Sequence, residues 1–167
     1  IALSVFEDKR PFRRLAGLVD WRLNGRLSRI AASGQFCGGS GEALLYAPRG
    51  RVSFPRLLMF GLGPTSGYDE DRYRRMTTRL LRVLRDLGAR EFTAALPNFG
   101  AAGLNPRLAF DIWLQNLRDV FLDEPRIPLA LDVRIVEDPE VQRAVADHVS
   151  VFLRRLSHNR GLAQGTA

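Results

Sequence analysis

Two glycine-bearing segments of this 167-residue chain have the residue types and spacing of an anion cradle: Phe60-Gly-Leu-Gly-Pro-Thr-Ser-Gly67 and Pro97-Asn-Phe-Gly-Ala-Ala-Gly-Leu-Asn105. Each follows a short apolar run and precedes a helix start. Several backbone N–H groups would then converge beside the positive end of a helix dipole, an arrangement suited to phosphate or carboxylate. Gly61, Gly63, Gly100 and Gly103 are the candidate amide donors, and Phe99 could stack on a base. Thr65, Ser66, Pro97, Asn98 and Asn105 complete the candidate contacts of the two loops. Asp20 and Asn24, in an otherwise apolar and basic segment beside Trp21, are the polar groups that could meet a base or ribose. Both loops also have a plainer explanation as tight strand-to-helix turns, which demand glycine whatever binds there. Asp20 has one too, as a helix cap.

Other reactive groups are sparse. His148 and His158 lie ten apart without the cysteine, histidine or carboxylate spacing of a zinc site. His148 falls on the apolar stripe of its helix and reads as a hydrogen-bonded core residue. Neither a Gly-x-Ser-x-Gly elbow nor a Walker phosphate loop occurs. The carboxylates of Tyr68-Asp-Glu-Asp71 and Leu122-Asp-Glu124 sit at helix ends, where capping accounts for them. No catalytic residue, metal or cofactor is therefore expected.

The elements that would position the loops follow from periodicity. Leu3 to Phe6 forms a first strand; Leu15, Val19, Leu23, Leu27 and Ile30 recur at helical spacing between Phe12 and Ser33, with Gly17 and Gly25 interrupting and Asp20 able to cap a second helical piece. After the loop Gly34–Gly41, Glu42 to Ala47 is a strand, Pro48 to Pro55 a turn, and Arg56 to Phe60 a strand apolar on both faces and hence central. A helix spans Asp69 to Leu87, with Tyr73, Met76, Leu80, Leu84 and Leu87 on its inner stripe. Glu91 to Leu96 is a strand, and Asn105 and Pro106 open a helix that carries Ala109, Ile112, Trp113, Leu117 and Val120 inward. Leu129 to Val136 alternates like a half-exposed or edge strand. Asp138 and Pro139 start a last helix with Val141, Val145, His148, Val149, Phe152 and Leu156 on its stripe, and a frayed tail follows. Alternating strands and helices predict an α/β fold with a mixed, mostly parallel sheet and helices on both faces.

Composition narrows the functional classes. A chain of 18.7 kDa with 46% hydrophobic residues fits one domain with a full core. The net charge of +7 rests on arginine, Lys9 being the only lysine among 25 basic residues. Because the arginines are spread widely and share helices with acids, nucleic-acid binding is disfavoured as the main role. There is no charged-then-apolar leader and no apolar run long enough to span a bilayer, so a cytoplasmic chain without membrane contact is expected. The single cysteine, Cys37, cannot form an internal disulfide.

Several segments carry a resemblance: Leu18-Val-Asp-Trp-Arg-Leu-Asn-Gly-Arg-Leu-Ser28, Gly34-Gln-Phe-Cys-Gly38, Gly41-Glu-Ala-Leu-Leu45 and Arg56-Leu-Leu-Met-Phe-Gly-Leu-Gly63. Together they resemble the N-terminal domain of the leucyl aminopeptidase family, with Val19 in place of a leucine before Asp20 and Phe60 in place of a valine. The similarity runs over about residues 1–160. It implies a three-layer, macro-domain-like fold in residues 1–160 and a flexible tail in 161–167. The segment Leu96 to Ala109 is similar to the loop-and-helix with which macro domains bind ADP-ribose. Family members hold their two-metal site in a separate C-terminal domain, whose Asn-Thr-Asp-Ala-Glu-Gly-Arg segment has no match here. Convergent ligands are what two-metal hydrolysis needs, so the chain is expected to lack aminopeptidase activity.

What the resemblance implies is a non-catalytic binding or assembly module, with a protein partner or a homo-oligomer. One alternative is a module that binds a nucleotide or ADP-ribose-like ligand, with or without hydrolysis; another is a fragment of a complete metallo-aminopeptidase. Against the first alternative, Gly38-Gly-Ser-Gly41 is a poor copy of the Asn-rich, triple-glycine segment of macro domains, and Phe99 and Leu104 are bulky enough to fill a pocket. The polar C-terminal residues read as a natural tail, which favours a stand-alone chain.

Overall fold

The apolar runs and amphipathic segments become β1 (Ala2–Val5), α1 (Arg14–Arg22), α2 (Arg26–Ala32), β2 (Ala43–Tyr46), β3 (Leu57–Gly61), α3 (Glu70–Asp86), β4 (Glu91–Ala94), a 3-10 turn (Phe99–Ala102), α4 (Pro106–Phe121) and β5 (Asp132–Ile135). They are seen in a computed structural model that describes residues 1–48, 52–121 and 131–146. Residues 139–146 are also helical, as expected after Asp138-Pro139. The sequence expectations for residues 49–51, 122–130 and 147–167 lie outside the described residues, among them Asp123, Glu124, His148, Val149, Phe152, Leu156 and the tail. Among the described residues no helix is long and apolar enough to cross a membrane.

The strands form one sheet in the order β2-β3-β1-β4-β5. Only the β2–β3 pair is antiparallel; β1 pairs in parallel with β3 and β4, and β4 with β5. The continuous apolar run of β3 is buried at every position and stands between two neighbours, which is where a strand without a polar face belongs. β5, with its alternating sequence, takes an edge. Period-two alternation divides the core between the faces. Leu3, Val5, Leu57 and Met59 pack on one side with Val19, Leu23, Leu27 and Ile30 of α1 and α2. Ala2, Leu58, Phe60 and Phe92 pack on the other with Tyr73 and Leu80 of α3, Ile112 and Trp113 of α4, and Val141.

Helix starts are capped by side chains where the chain supplies them. Asp69 accepts from the Arg72 amide at 2.8 Å and Asn105 from the Leu108 amide at 2.9 Å. α2 is an exception: its N-cap residue is Gly25, which has a left-handed backbone (φ 71°) and no side chain to offer. Asp20 of the preceding helix fills that place. Its carboxylate is buried, and accepts from the amides of Leu27 (2.8 Å) and Ser28 (3.1 Å) and from the Ser28 hydroxyl. The capping role expected of Asp20 is thus realised from the previous helix. Removing it strands buried donors, so Asp20→Ala should lower unfolding stability by about 1–3 kcal/mol, and Asp20→Asn, which keeps one acceptor, by less. Urea unfolding of the two variants against wild type measures this.

Candidate functional site

The parallel strands β1, β3 and β4 send their C-terminal ends to one edge of the sheet, and both glycine loops leave from it, at the place where open α/β sheets hold ligands. In the first loop, the amides nominated as anion donors already have acceptors. Gly61 donates to the Glu42 carbonyl (2.8 Å) and Gly63 to the Gly38 carbonyl (2.9 Å), while Gly41 donates to the Gly61 carbonyl (2.8 Å). The packing is close: a Cβ on Gly61 would lie 2.0 Å from the Gly39 carbonyl oxygen. Thr65 turns to Asp8, donating from its amide (3.0 Å) and its hydroxyl (2.6 Å). These bonds, the hydroxyl first, hold the Asp8 carboxyl below its ordinary range. The carbonyls of Ser66 and Leu62 accept from the two ends of the Arg72 guanidinium, at 3.0 and 3.1 Å.

A third loop resembles an anion nest, and it is occupied from within. Successive amides of Cys37, Gly38 and Gly39 donate to the Glu42 carboxylate at 2.7–3.1 Å, a geometry that backbone nests offer to bound anions.

The loop after β4 is held in the same way. Glu137 accepts from the Leu96 amide (2.7 Å) and pairs with Arg14 (3.0 Å), which also reaches Asp138 (2.8 Å). Burial pushes the Glu137 carboxyl above its usual range, against the opposing pull of the Leu96 amide and Arg14. The Pro97 carbonyl accepts from the Tyr68 hydroxyl at 2.8 Å, and burial raises that phenol well above its normal range. Asn98, in a left-handed conformation, donates to the Ser4 carbonyl (3.3 Å). Phe99 is buried, with the Arg14 guanidinium 5.9 Å from its ring centre. Gly103 donates to the Gly100 carbonyl, and Asn105 caps α4. A Cβ on Gly100 would meet nothing within 4 Å.

The Tyr68–Pro97 bond thus brings the Gly61–Gly67 and Pro97–Asn105 loops together. Asp20 and Asn24 stand apart in the α1–α2 layer: Asp20 is bonded to the start of α2, and the Asn24 carbonyl accepts from Arg29. Residues that sequence reasoning missed hold the loops, namely Asp8, Glu42, Glu137, Arg14 and Arg72. Glu42 and Arg72 lie near their partners in sequence, Glu42 directly after a glycine-rich run and Arg72 six residues after Ser66, whereas Asp8 is 57 residues from Thr65 and Glu137 is 41 from Leu96. Beside the second loop, an apolar cavity of about 410 Å³ lies between α4, β5 and residues 139–146, lined by Leu96, Phe110, Trp113, Leu117 and Val133. Among the described residues no group of three or more histidine, cysteine or carboxylate side chains could hold a metal ion. At this edge the amides of Gly61, Gly63, Thr65 and Cys37 to Gly39 are taken by the chain's own carboxylates and carbonyls. An incoming phosphate would have to displace them.

Comparison with known proteins gives the fold a lineage. Residues 2–109 match the model of the cytosol aminopeptidase family, N-terminal domain. A probable cytosol aminopeptidase of Thermosynechococcus vestitus is 29% identical over 127 residues, covering 75% of this chain and 23% of that protein. One of Idiomarina loihiensis is 30% identical over 106 residues, covering 62% and 20%. The chain therefore spans about a fifth of the length of these relatives. Among solved structures, a mutant of tomato leucine aminopeptidase superposes with a TM-score of 0.56 at 19% identity, covering 87% of this chain and 31% of that one. The macrodomain of Mycobacterium tuberculosis DarG superposes with 0.55 at 15% identity, covering 80% and 86%. At these identities the likeness shows a macro-like α/β fold, as the resemblance implied.

Two outcomes follow from the loop geometry. Gly61→Ala must push apart the backbone of residues 38–39 and should cost about 3 kcal/mol or more, whereas Gly100→Ala should stay within about 1 kcal/mol of wild type; thermal unfolding compares them. Because Asp8 titrates lower in the folded chain than in the unfolded one, it contributes stability above about pH 4 that is lost as pH falls through its folded value. In a carbon-13 titration the Asp8 carboxyl midpoint should lie below that of an unfolded aspartate, and Thr65→Val should move it up.

Proposed function

The chain belongs to the cytosol aminopeptidase family, matching its N-terminal domain over residues 2–109, and from that premise we propose that it is a non-catalytic binding or assembly module that works by contact with protein. The observation that carries this reading is the state of the glycine loops. Asp8, Glu42 and Glu137 bond amides in and around these loops, those of Thr65, of Cys37 to Gly39 and of Leu96. The amides of Gly61 and Gly63 point to backbone carbonyls. Phe99, the ring on which a base could stack, is itself buried. A nucleotide would gain little by exchanging hydration for a site that must first expel a carboxylate, since only differential contact free energy drives binding.

Module function is proposed for residues 1–160 as one domain in the cytoplasm, whether the chain acts alone or joined to a catalytic domain. The expected absence of peptidase activity rests on the same ground as before: the reaction needs several convergent metal ligands.

Calorimetric titration of the purified chain with ADP-ribose should give no heat of binding at micromolar ligand. Leucine anilide with added manganese or zinc should be left intact. Micromolar ADP-ribose binding that Gly103→Val abolishes would replace this reading with a ligand-binding one, and leucine anilide turnover would replace it with a peptidase.

A further inference from the structure

Residues 9–29 hold seven basic residues and one acid, which leaves this stretch with six of the chain's seven net positive charges. The acid is Asp20, buried and bonded to the start of α2. Arg13, Arg14, Arg22, Arg26 and Arg29 are exposed on α1, α2 and their approaches. Among the described residues only Arg14 of these five pairs with carboxylates; Arg26 lies over the Tyr46 ring and Arg29 donates to a backbone carbonyl.

Within this basic layer two large apolar side chains stand in solvent. Leu18 is 66% and Trp21 74% exposed. Their spacing of three places them side by side on the outer face of α1, and Arg14 and Arg22 lie one turn from Leu18 on either side. The inward residues of the same helix, Ala16, Val19 and Asp20, are buried, so the outer pair is not left over from core packing.

A tryptophan and an aliphatic neighbour rimmed by guanidinium groups is the composition of a protein contact centre, where tryptophan and arginine carry most of the energy. The charge then selects the occupant. Two copies meeting through this face about a two-fold axis would set the same arginines against one another. An acidic partner relieves that repulsion and pairs the free guanidinium groups. A single-stranded nucleic acid would answer the charge and could stack on Trp21, but Leu18 offers a base no aromatic face.

We propose that the Leu18–Trp21 face of α1, flanked by Arg14 and Arg22, is a docking surface for an acidic protein segment that carries an apolar anchor. This names the surface and partner chemistry of the module reading and rests on it.

The test is selection of random displayed peptides against the full chain, followed by titration of the enriched peptides against wild type, Trp21→Ala and Arg22→Glu. Both variants alter exposed side chains, and emission from Trp113, fully buried in the core, verifies that each remains folded. Enriched peptides should be net negative with at least one large apolar residue. They should shield Trp21 from acrylamide, bind each variant at least about tenfold more weakly, and weaken as salt is raised. The proposal is overturned if no peptide is enriched, if the enriched peptides are neutral or basic, or if they bind both variants as tightly as wild type. It is also overturned if an oligothymidylate binds in a Trp21-dependent manner, which would assign the face to nucleic acid. Peptides held elsewhere would sink this surface and leave the module reading in place, whereas ADP-ribose binding would sink that reading without touching the peptide result.

Discussion

The backbone of Gly38 and Gly39 lies against Gly61 at a distance that leaves no room for a side chain, and much of the C-terminal edge of the sheet is arranged around that approach. It allows the reciprocal bonds between residues 41–42 and Gly61 that extend the β2–β3 pairing, and the bond from Gly63 to the Gly38 carbonyl. With residues 37–39 held in this way, their amides converge on one point, and Glu42 occupies it. Gly63 in turn accepts from the amide of Glu7, which ties the end of β1 to the same structure. One steric requirement thus sets the positions of three chain segments.

In this arrangement a macro-like fold turns converging amides onto groups of its own chain. Three carboxylates from three separate places, Asp8, Glu42 and Glu137, take up donors in the three loops, and each is fixed by geometry rather than by chance proximity: the Asp8 bonds involve both the amide and hydroxyl of one threonine, and Glu137 shares its oxygens between an amide and Arg14.

The parts legible in the sequence are those whose cause is local. β3 announces itself by five consecutive buried positions, α3 by Asp69 and its stripe, and α4 by Asn105-Pro106, because caps and periodicity act within a few residues. The glycines are legible as turn formers at the strand ends. Which acceptor their amides meet is not, because Asp8 and Thr65, or Arg14 and Glu137, become neighbours only after the crossovers bring them together. Asp20 lies between these cases: its role as a cap follows from its place between two helical pieces, but the reason it must reach seven residues ahead is Gly25, which has nothing to offer.

The ion pair of Arg14 with Glu137 and Asp138 joins layers on opposite sides of the sheet, since α1 packs on one face and the helical residues 139–146 on the other. It acts as a stitch over the rim. A load applied to α1 from outside is therefore not resisted by the apolar contact beneath that helix alone; part of it passes across the rim to the end of β5 and the helix beyond. Peeling the first helix away would require that seam to open as well, so the two layers resist mechanical separation as one laminate.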